Sequence, residues 1–251
     1  MDLRETLAGA DRRHPWEVAR VSALRRIMQE ESVSLPGSSV LDVGCGDAYA
    51  IAEFCKGLGC ARIDAVDANF SQDQMAALSL RYPGLNLHPS LDPLPRNFYD
   101  LITLFDVVEH VEDDAAFLRM VCGHGRPGGM VLVTAPAFPI LFGAHDVFLR
   151  HVRRYRRAML HDLARRAGLE VVASGYLFTG LLLPRAVQVV LERISPPDDR
   201  LPSRGVGGWN RSTPVTRMML FLLSMDTRLT LWLQRRGITL PGLTTWMKAR
   251  Q

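Results

Sequence analysis

With 251 residues, 47% hydrophobic and 22% charged, the chain is long enough to bury a full core and too apolar to be disordered. Its four cysteines, Cys45, Cys55, Cys60 and Cys122, form no C-x-x-C pair and no His-flanked cluster, which fits reduced cytoplasmic thiols better than a disulfide framework or a zinc site. The formal charge of +4 hides an uneven spread: residues 1–125 carry 11 basic and 19 acidic side chains, residues 126–251 carry 19 and 7.

The opening Met1-Asp2-Leu3-Arg4-Glu5 has no apolar signal core, so secretion is not expected. Residues 13–31 read as a helix, with Val18, Val21, Leu24 and Ile27 at three-residue spacing and Pro15 in its first turn. Trp16 on this helix is either a packing aromatic or a lid over a site. A buried strand over 39–43 then breaks into Gly44-Cys45-Gly46 and continues into a helix over 48–58. A strand passing through Gly-x-Gly into a helix brings backbone N–H groups close to a ligand, at the positive end of the helix dipole. One glycine permits the turn and the other removes a Cβ that would block the ligand.

A second strand over 62–67 ends at Asp67, 21 residues after Gly46, where an acid reaches the two hydroxyls of a ribose. The two signals together indicate a nucleoside cofactor. A dinucleotide site wants a third glycine near position 49, where Ala48 and Tyr49 stand. Asp42 in the strand and Asp47 after the turn would repel a pyrophosphate, but they suit a ligand carrying an ammonium and a sulfonium.

The run Leu41-Asp42-Val43-Gly44-Cys45-Gly46 resembles the first motif of class I S-adenosylmethionine-dependent methyltransferases. The resemblance implies S-adenosyl-L-methionine as cofactor. It places that cofactor on Asp42, Gly44, Cys45 and Gly46, with Asp67 and Ala68 at the ribose, Leu91 beside the adenine, and Phe105 and Asp106 at the end of strand four. It also implies a Rossmann-like α/β fold: a seven-stranded, mostly parallel sheet with an antiparallel last strand.

The remaining elements follow in order. A helix over 71–82 opens at Ser71 and stops before Pro83-Gly84, and residues 85–88 form a weak third strand. Strand four is Tyr99 to Asp106, a helix spans 113–123, and Pro127-Gly128-Gly129 makes a turn into strand five, Met130 to Thr134. The loop after strand five carries His145 and Asp146 and then the basic run Arg150-His151-Val152-Arg153-Arg154-Tyr155-Arg156-Arg157. A helix over 157–167 ends at Gly168, strand six begins at Leu169, and the last strand is Leu243 to Lys248. The Glu109-His110 pair past strand four and the block from His145 to Val172 add to the resemblance, which points to quinone- and lipid-biosynthesis enzymes.

Residues 178–240 hold two apolar stretches, 181–194 and 215–233, joined by a Pro/Gly/polar connector. Charges inside both exclude membrane spans. They are expected as a helical insertion between strands six and seven, packing on the domain, capping the substrate, forming a homodimer surface or lying on a lipid interface. The whole chain then reads as one domain: a helical lid over 1–35, a core of 36–177 and 241–251, and the insertion 178–240.

Methyl transfer from a sulfonium is a direct displacement with a good leaving group, so a base matters only where the acceptor arrives protonated. His110 and His145 are the candidate catalytic bases, because imidazole titrates near neutrality. Arg150, Arg153 and Arg154 either bind an anionic acceptor or form an exposed face. Asp106, Glu109 and His110 stand at i, i+3, i+4, which resembles a metal-binding group of quinone-pathway O-methyltransferases; a solvated acidic patch with Glu112, Asp113 and Asp114 is the preferred reading, with no metal. The expected function is methyl transfer to oxygen of a small hydrophobic or lipid-like acceptor. A metal-assisted quinone-pathway O-methyltransferase and a non-catalytic S-adenosylmethionine-binding regulator are the alternatives. Nucleic acid is not expected as a partner, because the basic residues are not interleaved with stacking aromatics and no base pocket of the Asn-Pro-Pro-Tyr type is present.

Overall fold

The computed structural model describes residues 13–29, 36–194 and 211–251. Parts of the expected lid, 1–12 and 30–35, and most of the connector in the insertion, 195–210, lie outside the described residues. Seven strands form one sheet: β1 (Ser39–Val43), β2 (Arg62–Val66), β3 (Asn86–His88), β4 (Tyr99–Phe105), β5 (Gly125–Pro136), β6 (Glu170–Leu177) and β7 (Thr244–Arg250). Their spatial order is β3-β2-β1-β4-β5-β7-β6, with β7 antiparallel between β5 and β6 and the other pairings parallel. The expected mixed sheet with its antiparallel last strand is therefore present. β1 and β4 read as near-continuous apolar runs because helices cover both faces of the sheet.

Helices α1 (Pro15–Gln29), α2 (Tyr49–Cys55), α3 (Gln72–Arg81), α4 (Asp114–Cys122), α5 (Ala144–Phe148), α6 (Arg157–Ala167), α7 (Leu182–Ile194) and α8 (Thr213–Arg235) flank it. On one face Leu24, Ile27, Phe54, Leu223 and Trp246 share a core; on the other Leu118, Tyr155, Leu160 and Met247 do. α3 starts where the sequence places it, because Ser71 and Gln74 exchange side-chain-to-backbone hydrogen bonds at 3.2 and 2.9 Å. α6 stops at Gly168, whose φ of 81° is left-handed. α7 and α8 fall between β6 and β7, and α8 packs along α1. Among the described residues no helix is long and apolar enough to cross a membrane.

Three local expectations change. Pro127-Gly128-Gly129 is not a turn ahead of β5 but a bulge inside it. The register with β4 jumps from Tyr99–Gly125 to Leu101–Met130, and Gly128 supplies the positive φ of 77° that the bulge needs. The helix expected over 48–58 ends at Cys55, before Gly57 at φ 72°. The loop holding His145 contains a helix of five residues, α5, too short to show an apolar period. Since strand order reverses between β1 and β4, a crevice opens beyond the carboxyl ends of these strands, and the chemistry-bearing residues meet there.

Candidate functional site

A single cavity of about 1120 Å³ runs along that crevice, large enough for a nucleoside and a second molecule together. At one end lies the glycine turn. Gly44 has φ 75° and Gly46 φ 55°, and Ala48 also takes the left-handed region at 60°. The N–H groups of Gly44 and Cys45 both donate to the Val66 carbonyl, at 2.8 and 3.1 Å, which pins the turn to β2. A Cβ at Gly44 would stand 2.5 Å from Val107 Cγ2, so only glycine fits. Gly44→Ala is therefore expected to cost about 1–3 kcal/mol in chemical denaturation and to weaken nucleoside binding, as both the backbone and Val107 must shift.

Asp67 follows β2 and is mostly buried. Its Oδ2 accepts the Gly46 N–H at 2.9 Å and its Oδ1 accepts the Asn69 N–H at 2.9 Å, so the carboxylate ties the turn to the next loop while lining the cavity. Ala68, Leu91, Phe105 and Asp106 line the same space. Asp106 sits at φ 57° and is held from two sides: Thr134 Oγ1 donates to its Oδ1 at 2.9 Å, and Arg20 of α1 pairs with its Oδ2. The Arg20 guanidinium also lies 4.8 Å from the Trp16 ring centroid, and Trp16 packs at 6.0 Å against Phe178. Trp16 therefore packs, as one of its two expected roles had it, and it also lines the cavity.

At the other end stand Glu109, His110, His145, His151, Arg154 and Arg185. Glu109 is fully buried, neither oxygen has a hydrogen-bond partner among the described residues, and burial pushes its carboxyl up to about 8. Ligand atoms of Glu109, His110 and His151 lie within 4.8 Å of one another, and the two imidazole rings meet edge to face at 4.8 Å. Burial, then the nearby Arg185 charge, lowers the His145 imidazole from its ordinary value, which favours its neutral form at pH 7.

Asp146 organises this end. Its Oδ1 accepts from His151 Nδ1 at 2.9 Å and Arg154 Nε at 2.7 Å; its Oδ2 accepts from an Arg185 Nη2 at 2.9 Å. Burial alone would raise this carboxyl, but the His151 and Arg154 hydrogen bonds overturn that and hold it well below the usual range. The wall between these charged groups is apolar: Pro136, Leu149, Leu181, Pro184 and Leu243.

Of the residues singled out from sequence, Gly44, Gly46, Asp67, Ala68, Leu91, Phe105, Asp106, His110 and His145 border this one cavity. Asp42 and Cys45 stand behind its wall. Asp42 is buried within the sheet, where it accepts a hydrogen bond from Thr103 and burial raises its carboxyl to about 7; Cys45 lies in the core. The expected solvated patch is found only in part: Glu112 and Asp113 are exposed, with Asp113 capping α4, whereas Asp114 is buried and accepts from Tyr155, Arg153 and Arg166. Arg153 and Tyr155 are consequently structural, whereas Arg150 reaches the cavity. Asp106 leaves the metal-like i, i+3, i+4 group because Arg20 claims it, and His151 takes its place beside Glu109 and His110. Sequence reasoning missed Arg20, His151 and Arg185. Arg20 had a local signal in its i+4 spacing from Trp16; the others had none.

Residues 12–174 match the family described as Methyltransferase domain. Over 152 residues the chain is 32% identical to a protein of Mycolicibacterium smegmatis named a probable S-adenosylmethionine-dependent methyltransferase; the match covers 57% of this chain and only 56% of that relative. It is 26% identical over 196 residues to the ubiquinone biosynthesis O-methyltransferase of Pseudomonas savastanoi, covering 76% of this chain and 70% of the relative. Among solved structures, the S-adenosylmethionine-dependent methyltransferase of Mesorhizobium loti superposes with a TM-score of 0.56 at 15% identity, over 91% of this chain and 98% of that one.

Proposed function

On the premise that this chain belongs to the S-adenosylmethionine-dependent methyltransferase family, we propose that it moves the methyl group to an oxygen of a small hydrophobic or lipid-like acceptor. The observation that carries the reading is the continuity of the cavity. Gly44, Gly46 and Asp67 border one end, and His110, His145 and an apolar wall border the other, so donor and acceptor would share one enclosure. The residues present fit the cofactor: the turn of Gly44 and Gly46 would cradle its amino-acid tail, and the buried Asp67 carboxylate would accept from its ribose hydroxyls. The oxygen assignment draws on the histidines and on the activity printed for the Pseudomonas relative.

The cofactor supplies a methyl on a sulfonium, whose sulfur keeps the electron pair and leaves neutral. The protein's share is alignment and proton removal. Trp16, Arg20 and Asp106 border one side of the enclosure, where the Arg20–Asp106 ion pair ties α1 to the end of β4. His110 or His145, as the neutral imidazole, takes the proton of the acceptor hydroxyl while that oxygen attacks. The direct test is calorimetric titration with S-adenosylmethionine, its demethylated product and NADH, followed by turnover on phenolic and lipid-like alcohols. Binding of the first two without NADH, with an O-methyl product, is expected; binding of NADH alone, or methylation only on nitrogen, overturns the reading.

A second reading is favoured by one observation, the convergence of Glu109, His110 and His151. Under it a divalent cation would be held by these three and would polarise the acceptor oxygen. Turnover abolished by a chelator and restored by magnesium supports it; chelator-insensitive turnover excludes it.

Glu109 gives a further expected result. Its folded-state carboxyl titrates near 8, above the ordinary 4.5, so the folded state binds more protons than the unfolded one between those values. Stability contributed by the neutral form is present below about 4.5 and declines as pH rises toward 8. Glu109→Gln should flatten that part of the denaturation-midpoint profile, and an unchanged slope would show that Glu109 is not the group responsible.

A further inference from the structure

The insertion is apolar on two opposite sides, and the described residues cover only one of them. α8 buries Leu223, Thr227, Thr230 and Leu231 toward the sheet and α1. On its other side Met218, Phe221, Leu222, Met225, Leu229 and Trp232 form a stripe at three- and four-residue spacing, each between 44% and 64% exposed. α7 repeats the arrangement: Arg185 and Val189 are buried, while Leu183, Val187, Leu191 and Ile194 are 51% to 75% exposed. A helix apolar on all sides is normally buried, so an uncovered half signals a partner.

The charges on these helices say which partner. Each helix has a single acid, and both acids turn back to the protein. Asp226 accepts the Gly180 N–H at 3.1 Å, and Glu192 accepts the Ala144 N–H at 3.0 Å. The exposed charges are arginines. Arg217 and Arg228 share one flank of the α8 stripe, Arg193 stands near the end of α7, and Arg236 lies 3.6 Å over the Trp232 ring. An apolar stripe edged by guanidinium groups and a tryptophan is the pattern of a helix lying in the headgroup region of a bilayer. A second copy of the chain is a poorer fit, because a twofold contact would set the arginine flank against its own equivalent with no acid to answer it.

The same helix walls the cavity. Pro184, Arg185 and Gln188 of α7, with Leu181 just before it, line the acceptor end, while the outer side of α7 is the exposed apolar one. We infer that the outer faces of α7 and α8 seat this protein on an anionic lipid surface, peripherally, with the acceptor end of the cavity beside that surface. This goes beyond the proposed reaction and does not depend on it, since the surface needs neither cofactor nor acceptor to bind.

The experiment is co-sedimentation of the full chain with vesicles of phosphatidylglycerol and phosphatidylcholine, against vesicles of phosphatidylcholine alone, without cofactor or acceptor. The expected result is binding at least tenfold tighter to the anionic vesicles, weakened by salt. Arg217→Gln and Arg228→Gln should each lower the partition about fivefold and together about 25-fold, following the attraction of one surface arginine to an anionic leaflet. Met225→Asp with Leu229→Asp should lower it at least tenfold, and unchanged calorimetry with S-adenosylmethionine would show that the fold and cofactor site survive. Equal affinity for the two vesicle types, no binding to either, or no response to the two arginine changes overturns the inference. So does a concentration-dependent dimer whose formation the aspartate changes abolish.

Discussion

Replacing Asp67 by alanine is expected to weaken S-adenosylmethionine binding at least a hundredfold in calorimetric titration. A charged hydrogen bond is worth about 1.5–3 kcal/mol, and a ribose offers two hydroxyls to this carboxylate, so a loss of about 3 kcal/mol is the conservative figure. The loss has a second source. Asp67 Oδ2 holds the Gly46 N–H and Oδ1 holds the Asn69 N–H, so the alanine variant also releases the glycine turn. Asp67→Asn separates the two: it keeps the shape and one acceptor oxygen and should bind better than the alanine variant while remaining well below the wild type. An alanine variant that still binds within fivefold of wild type would remove Asp67 from the site.

Asp146→Ala is expected to destabilise the protein by about 3–5 kcal/mol, the cost of removing one partner from a buried ion pair. Arg154 and Arg185 are both mostly buried and both lean on this carboxylate, so the variant leaves two guanidinium groups short of a counter-charge. For a chain of this length each kcal/mol shifts the melting temperature by about 2–4 °C, so the midpoint should fall by roughly 10 °C. The pH dependence has a definite sign. Because the folded-state Asp146 carboxyl titrates below its unfolded value, its contribution is complete above the unfolded value, near pH 4, and is lost as pH falls through the lower, folded one. The gap in melting temperature between wild type and variant should therefore be constant near neutrality and close only in strong acid. A gap that varies between pH 6 and 8 would mean that a different group dominates. The variant should also lose acceptor affinity, since the carboxylate holds His151 and both arginines on the cavity wall.

The two changes act on opposite ends of the cavity, and those ends were unequally legible. The glycine-turn end is built from short-range features. A strand, a glycine turn and a helix are consecutive in the chain, and the acid that faces the turn ends the next strand, so spacing alone brings Gly44, Gly46 and Asp67 together. Local chemistry also set where α3 begins and α6 ends, through the Ser71–Gln74 box and Gly168. Asp42 and Cys45 of the same motif do not line the cavity: Asp42 lies on β1 with its side chain within the sheet, and Cys45 packs in the core.

The end proposed for the acceptor is assembled from four separate elements. Glu109 follows β4, Asp146 lies on α5, His151 and Arg154 come before α6, and Arg185 comes from the insertion. No spacing encodes those meetings, because they depend on how the sheet stacks its helices. Burial then reassigns the charges. Asp114 and Arg153 looked like exposed functional groups and turned into a structural pair, while Arg20 crossed from α1 to take Asp106 out of its apparent metal-like triad. What the sequence by itself determined was the order of the strands, the sheet class and the meeting of Gly44, Gly46 and Asp67 at one end of the cavity, all set by contacts close in the chain. The partner of each buried charge, the wall of the acceptor half and the uncovered face of the insertion were decided by tertiary structure, because desolvation makes a charge choose the nearest counter-charge in space, whatever its distance along the chain.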